Sequence, residues 1–427
     1  MILQKKYYQD LQKVFLNSSL QSHQVLHIAQ SGKLFGTIGA SGLSFALEKC
    51  TNVSNLTLDL GCNKIGDEDA SGLSQALEKC TNLSNLTLLL YGNQIGAIGV
   101  QCLGSALEKC TNLSNLKLNL YGNQIDDEGA SGLGQSLGKC INLQNLAIHL
   151  KSNQIGATGA SGLISALEKC NHLSNLILDL YRNKIGQLGA SSLGLALAKC
   201  TNISKLELDL CGNQIGIIGA LDLGYSLGNC TNLQHLKLDL YENEINEQVV
   251  PGLGYALEKC INLQNFMLNL WSNKIGAIGA SNLGSALVKC TNLTNLTLDL
   301  YRNLIGDEGT LGLCSGLEKS TNLSNLKLDL GQNKISVIGA SGLYSSLGKC
   351  TNLSNLILDL SGNQIGKIDA SVLGAVFGKC TNLSNLKLYL RENQISNDGI
   401  SLGSALENCT NLSNLTLDLQ YKHFIYL

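Results

Sequence analysis

The sequence predicts an α/β solenoid built from strand, turn and helix units, and three observations carry that reading. A thirty-residue period runs almost without slippage, marked by twelve asparagines from Asn63 to Asn393. Self-similarity at such a period is the mark of a repeat architecture, which grows as one body instead of splitting by length into domains. Within a unit, Leu86, Leu88 and Leu90 alternate with Thr87 and Leu89, the two-residue period of a strand with one buried face. Leu103, Leu107 and Cys110 then recur at helical spacing.

Each element of the unit Leu83 to Cys110 has a chemical reason. Asn93 falls where the strand ends, and its amide offers donors and an acceptor to backbone groups that a turn leaves unpaired. In register, the asparagines form a ladder. Gly96 and Gly99 loosen the backbone on the way into the helix, and Lys109 sits in its last turn, where a cation suits the helix dipole. Acids at the opposite end, Asp127-Glu128 and Asp307-Glu308, suit the helix N-terminus for the same reason. No thirty-residue unit buries enough apolar surface to stand alone, so neighbours must stack.

The pattern LxxLxLxLxxNxIGxxGAxxLxxALxKC resembles the leucine-rich repeat of the ribonuclease-inhibitor type over Val25 to Leu419. The resemblance implies a right-handed horseshoe with an inner parallel sheet and outer helices. One departure is visible: LTLDLYGN stands where the usual pattern has LxLxxN, two strand residues more, which predicts a wider inner sheet. The expected organisation is a capping segment over 1–24, the repeat array over 25–419 and a tail over 420–427. Leu11, Val14 and Phe15 sit at helical spacing in the cap, and the first unit is degenerate, with Gln30 and Lys33 at the usual leucine and asparagine positions. Leu415 to Leu419 reads as a final strand with a bare edge. One residue is missing between Gly399 and Leu402, and the single proline, Pro251, falls at a helix start, where it is tolerated.

A net charge of −2 gives no general attraction to nucleic acid or an anionic membrane. No apolar run approaches the roughly 20 residues of a membrane helix, and the first residues lack the apolar core of a signal peptide. Twelve of the sixteen cysteines keep one position per repeat, from Cys50 to Cys409, with Ser320 the exception. Stacked helices sit about 8 to 10 Å apart, whereas a disulfide wants Cα atoms within about 6.8 Å. The expectation is a column of buried free thiols, which points to cytosol or nucleus. The Asn-Leu-Ser and Asn-Leu-Thr sequons are then by-products of the repeat.

No catalytic, metal or cofactor site is expected. GQSLGKC, Gly134 to Cys140, fails as a phosphate loop because Leu133 stands where the first glycine belongs. The histidines never form HExxH, the cysteine column lacks CxxC spacing, and His23 and His27 near the cap read as structural.

Side chains alternate across a strand, so Leu298 and Leu300 point to the core while Thr297, Asp299 and Tyr301 face the concave side. The array therefore carries an acidic column that includes Asp179, Asp209, Asp239, Asp299, Asp329 and Asp359, and an aromatic column of Tyr91, Tyr121, Tyr181, Tyr241, Trp271 and Tyr301. Lys117, Lys237, Lys327 and Lys387 stand beside the acids. Like charges at strand spacing cost stability, and tyrosine and tryptophan often anchor interfaces. Duplication alone would also copy such columns, leaving a face that binds nothing. The leading expectation is a non-catalytic scaffold that binds a protein or peptide, with a basic surface, on this face. Its rivals are a regulatory arm, either GTPase-activating-like or the sensing module of a larger kinase or nucleotide-binding protein, and an architectural component that associates end to end.

Overall fold

The computed structural model describes residues 6–8, 24–32, 43, 47, 50–366, 376–377, 380–395 and 411–419. They fall in two units, Met1–Gln214 and Ile215–Leu427. In the first, strands β1 (Lys6–Tyr8), β2 (Val25–Ala29), β3 (Asn55–Asp59), β4 (Asn85–Leu89), β5 (Asn115–Asn119), β6 (Asn145–His149), β7 (Asn175–Asp179) and β8 (Lys205–Asp209) pair parallel in chain order. Asn85 lies opposite Asn115, one period on. In the second, β9 (His235–Asp239), β10 (Asn265–Asn269), β11 (Asn295–Asp299), β12 (Asn325–Asp329), β13 (Asn355–Asp359), β14 (Asn385–Tyr389) and β15 (Asn414–Asp418) do the same. There Asn385 meets Asn414 because of the missing residue, which itself lies outside the described residues. So do Leu11, Val14, Phe15, Lys33 and the tail 420–427.

Ten α-helices lie among the described residues. The first unit holds α1 (Asp67–Leu77), α2 (Ala97–Lys109), α3 (Asp127–Leu137), α4 (Ala157–Ser165) and α5 (Gly186–Leu197). The second holds α6 (Gly216–Leu227), α7 (Val250–Lys259), α8 (Gly276–Leu287), α9 (Gly306–Leu317) and α10 (Val337–Leu347). Pro251 occupies the first turn of α7, as expected. Leu86, Leu88 and Leu90 are buried with Leu103, Leu107 and Cys110, while Thr87 and Leu89 are half-buried on the other face of the sheet. Pairing continues past the assigned strands: Leu60 N–H donates to Leu89 O and Cys62 N–H to Tyr91 O, both at 2.8 Å. The two extra residues of the motif thus lengthen the sheet.

Buried asparagines stitch each unit together. Asn93 Oδ1 accepts the N–H groups of Asn63 (2.9 Å) and Ile65 (3.0 Å), while its Nδ2 donates to Leu60 O (3.0 Å) and Leu90 O (2.9 Å). One side chain closes its own turn and the one before it. Asn333 does the same in the second unit. A further ladder, unforeseen from the sequence, runs along the strand starts, where Asn115 Nδ2 donates to Asn85 Oδ1 (2.6 Å) and Asn325 Nδ2 to Asn295 Oδ1 (2.5 Å).

The first-turn acids stand at the helix N-termini as expected, and the aspartates also reach one repeat on. Asp127 Oδ1 accepts from Gly156 (2.5 Å) and Gly159 (2.9 Å), so it caps the following helix, α4, and leaves its own to Asp126. Asp67 and Asp307 likewise cap α2 and α10. A helix stacked one repeat on places its free N–H groups within reach of these carboxylates. The residue ahead of the helix then takes an extended backbone, as at Gly96 (φ −102°), Gly156 (φ −101°) and Ser336 (φ −94°). Where no aspartate stands one repeat back (Ala157, Glu247 and Ala277 take its place), Gly186, Gly276 and Gly306 adopt φ near +62° to +63°. Their N–H groups turn instead to Asn213, Asn303 and Asn333 carbonyls.

No disulfide joins the described cysteines. Those of the column are buried, with Cys110 Sγ 3.7 Å from Leu77 O and 3.6 Å from Ala106 O. Burial pushes the Cys110 thiol up to about 11 and, with help from neighbouring thiols, Cys80 and Cys140 up to about 12.

Candidate functional site

The face of each sheet opposite the helices carries the acidic and aromatic columns. Every acid among Asp179, Asp209, Asp239, Asp299, Asp329 and Asp359 is half-buried. Strand alternation puts these acids on the concave face, and the structure adds that their carboxylates also hold backbone groups. Asp329 Oδ1 accepts the N–H of Gly331 (3.0 Å), Asp359 that of Ser361 (2.8 Å), Asp209 that of Cys211 (3.0 Å) and Asp179 that of Tyr181 (3.1 Å). A short side chain bonding the N–H two residues on shapes the turn after the strand. Asn119 and Asn269 make the same bond to Tyr121 and Trp271, which explains why only Asp and Asn share this role.

In the first unit the columns carry Tyr91, Tyr121 and Tyr181 and, on β7 and β8, Asp179 and Asp209, of which Tyr181 adjoins Asp179. Tyr91 lies over Gly61, where a Cβ would meet the ring at 2.2 Å, and its hydroxyl is 2.8 Å from Ser31 Oγ. Lys151 Nζ sits 4.3 Å from the Tyr181 ring centre and 5.5 Å from that of Tyr121, so the array's own ammonium fills the space between two tyrosines. Lys151 occupies the position of this column between Tyr121 and Tyr181, and a lysine interrupting tyrosines was the signal available in the sequence. Asp179 Oδ2 is 3.6 Å from His149 Nδ1.

In the second unit Tyr241, Trp271 and Tyr301 form a continuous strip. Tyr241 stacks on Trp271 with ring centres 4.7 Å apart, and Trp271 meets Tyr301 edge-on at 5.4 Å. Tyr301 lies over Gly331, whose missing Cβ makes room for the ring. Trp271 remains 37% exposed, and Met267 beside it 36%. Asp239 Oδ2 accepts from Asn269 Nδ2 at 3.1 Å. Asp299, Asp329 and Asp359 lie opposite one another on successive strands, about 4.8 Å apart by strand spacing. Burial raises Asp299, and burial with its two acidic neighbours brings Asp329 up to about 7, against the opposing pull of the Gly331 N–H and Lys327. Among the expected flanking lysines, Lys327 therefore acts on this run without neutralising it.

No helix of the described residues is long and apolar enough to cross a membrane. The family model described as Leucine Rich repeat matches residues 54–74 and 112–134. A search of curated proteins finds no match to the chain. Among solved structures, an internalin (InlF) from Listeria monocytogenes is similar at 22% identity, covering 96% of this chain and 98% of that one with a TM-score of 0.52. A leucine-rich-repeat protein from Leptospira interrogans matches at 18% identity over 96% and 99% of the two chains, with a TM-score of 0.48. An internalin C2 from Listeria monocytogenes matches at 21% over 74% and 92%, with a TM-score of 0.34. Strand, asparagine turn and helix recur here in the units that match the family model and in those between them, so the chain has the fold of a leucine-rich-repeat solenoid.

Proposed function

We propose that the chain is a non-catalytic, protein-binding scaffold of the ribonuclease-inhibitor type of repeat, and that its open strand face holds a basic protein or peptide. The observation that carries this reading is the adjacency of the Tyr241–Trp271–Tyr301 strip to the Asp299–Asp329–Asp359 run. A row of like charges held half-buried is an electrostatic cost that an incoming cation relieves. Stacked rings supply rigid area that loses little entropy on contact, the property of interface anchors. In the first unit, Lys151 between Tyr121 and Tyr181 illustrates how such rings receive a cation. Asp239 belongs to the acidic column of the second unit, and Tyr91, Asp179 and Asp209 stand in the corresponding columns of the first unit.

The reading involves no cofactor, nucleic acid or membrane. A column of buried cysteines without disulfides favours a reducing compartment, cytosol or nucleus. An array of short basic peptides probed with the labelled full-length chain tests the proposal. Binders should be lost with Trp271→Ala and Tyr301→Ala together, and an array without binders sensitive to that change refutes it.

A further inference from the structure

The strand starts of the first unit carry a second recess, of opposite character to the acidic column. A groove of about 450 Å³ crosses β4 to β8, within the range of roughly 300 to 1,000 Å³ usual for ligand sites. Its floor opens at Ala147, where Ile177 on the next strand presents a larger apolar side chain, and Lys117 and Lys205 line its sides. The amide ladder borders it. Asn115 and Asn175 each donate to the asparagine before them and to the serine they follow. Asn145 follows Gln144 and donates only to Asn115, so one of its amide hydrogens has no acceptor among the described residues. The Lys205 ammonium is held by Glu207 at 2.8 Å, while Lys117 is exposed.

We infer that this groove binds an extended acidic peptide segment, seating an aliphatic side chain over Ala147 and a side-chain carboxylate between Lys117 and the Asn145 amide. The apolar floor sets the need for a hydrophobic anchor. A free N–H beside an ammonium selects an anion over a cation. The site differs from the acidic and aromatic columns in position and in the sign of its partner, so either proposal stands or falls without the other.

Fluorescence anisotropy on the full chain tests it, using a labelled peptide in which leucine lies between glutamates, with both termini blocked so that only side-chain carboxylates are offered. Lys117→Glu should weaken binding at least about tenfold, as expected for losing one close charge pair and gaining a repulsion. Lys139→Glu, two residues past the end of α3, makes the same change in net charge away from the groove and should leave binding unaltered. Ala147→Ile should weaken binding by filling the floor with a residue the array already tolerates at Ile177 and Ile357. A peptide with serine for the leucine, or lysines for the glutamates, should bind far more weakly. The inference is overturned if the acidic peptide fails to bind the wild type, if the lysine peptide binds as well, or if Lys117→Glu and Ala147→Ile both leave affinity unchanged.

Discussion

Asp329 Oδ1 accepts the backbone N–H of Gly331 at 3.0 Å, so an acid on the proposed binding face also shapes the turn behind its own strand. Shape and charge are separable here, because an amide makes the same bond at Asn119 and Asn269.

That separation gives a pH prediction. In the unfolded chain an aspartate titrates near pH 3.9, whereas in the folded protein Asp329 is pushed up to about 7, chiefly by burial. Between those values the folded state holds a proton that the unfolded state has lost. Its contribution to stability therefore falls as pH rises from about 4 to about 7. Asp329→Asn keeps the turn and removes the charge. Its denaturation midpoint should equal the wild type's near pH 4 and exceed it at pH 8; curves offset equally at both pH values would contradict this.

Helix starts offer a second test. Gly66 is extended at φ −100° and Gly276 left-handed at φ +62°, and a Cβ at either would meet no atom within 4 Å. Serine at 66 should be neutral or slightly stabilising, since it supplies a capping hydroxyl like that of Ser336. Serine at 276 should cost about 1 to 2 kcal/mol, the strain of the left-handed region for a residue with a Cβ. Thermal denaturation of the two variants, compared with wild type, distinguishes backbone strain from side-chain crowding.

Tyr344 is fully buried against Phe377, and its hydroxyl has no partner among the described residues. Removing an unsatisfied buried hydroxyl relieves a desolvation penalty of about 1 to 3 kcal/mol. Tyr344→Phe should raise the denaturation midpoint; a lower midpoint would mean that the hydroxyl is bonded.

The thiols predict a pattern of reactivity. In the native state an alkylating reagent should modify exposed Cys62 first and half-buried Cys102 more slowly, while Cys80, Cys110 and Cys140 react only on unfolding. Mass spectrometry of unreduced protein should find no bonds linking those three. Such bonds would remove the argument for a reducing compartment.

The repeat frame was legible because strand alternation, the turn asparagine and helical spacing each leave a mark within one unit. Asn93, Leu88 and Cys110 could be placed from a single thirty-residue stretch. What escaped depends on the neighbouring unit. Asp127 caps α4 and not its own helix, and Asn85 bonds Asn115, because stacking brings groups thirty residues apart to hydrogen-bonding distance. The columns of the candidate site were legible as columns. That Asp329 shapes a turn, and that Lys151 lies between two tyrosine rings, needed side-chain geometry that strand alternation does not specify.

The central claim is tested most directly by the salt dependence of affinity for the tightest basic binder from the peptide array. It should be measured for wild type, for Asp299→Asn, Asp329→Asn and Asp359→Asn combined, and for Trp271→Ala with Tyr301→Ala. The acidic triple variant should bind more weakly at low salt and converge on the wild type as salt screens the field. The aromatic variant should lose a similar amount at every salt concentration, because its loss is desolvated area. If both variants bind with wild-type affinity and the same salt slope, the columns are relics of duplication and the partner docks elsewhere.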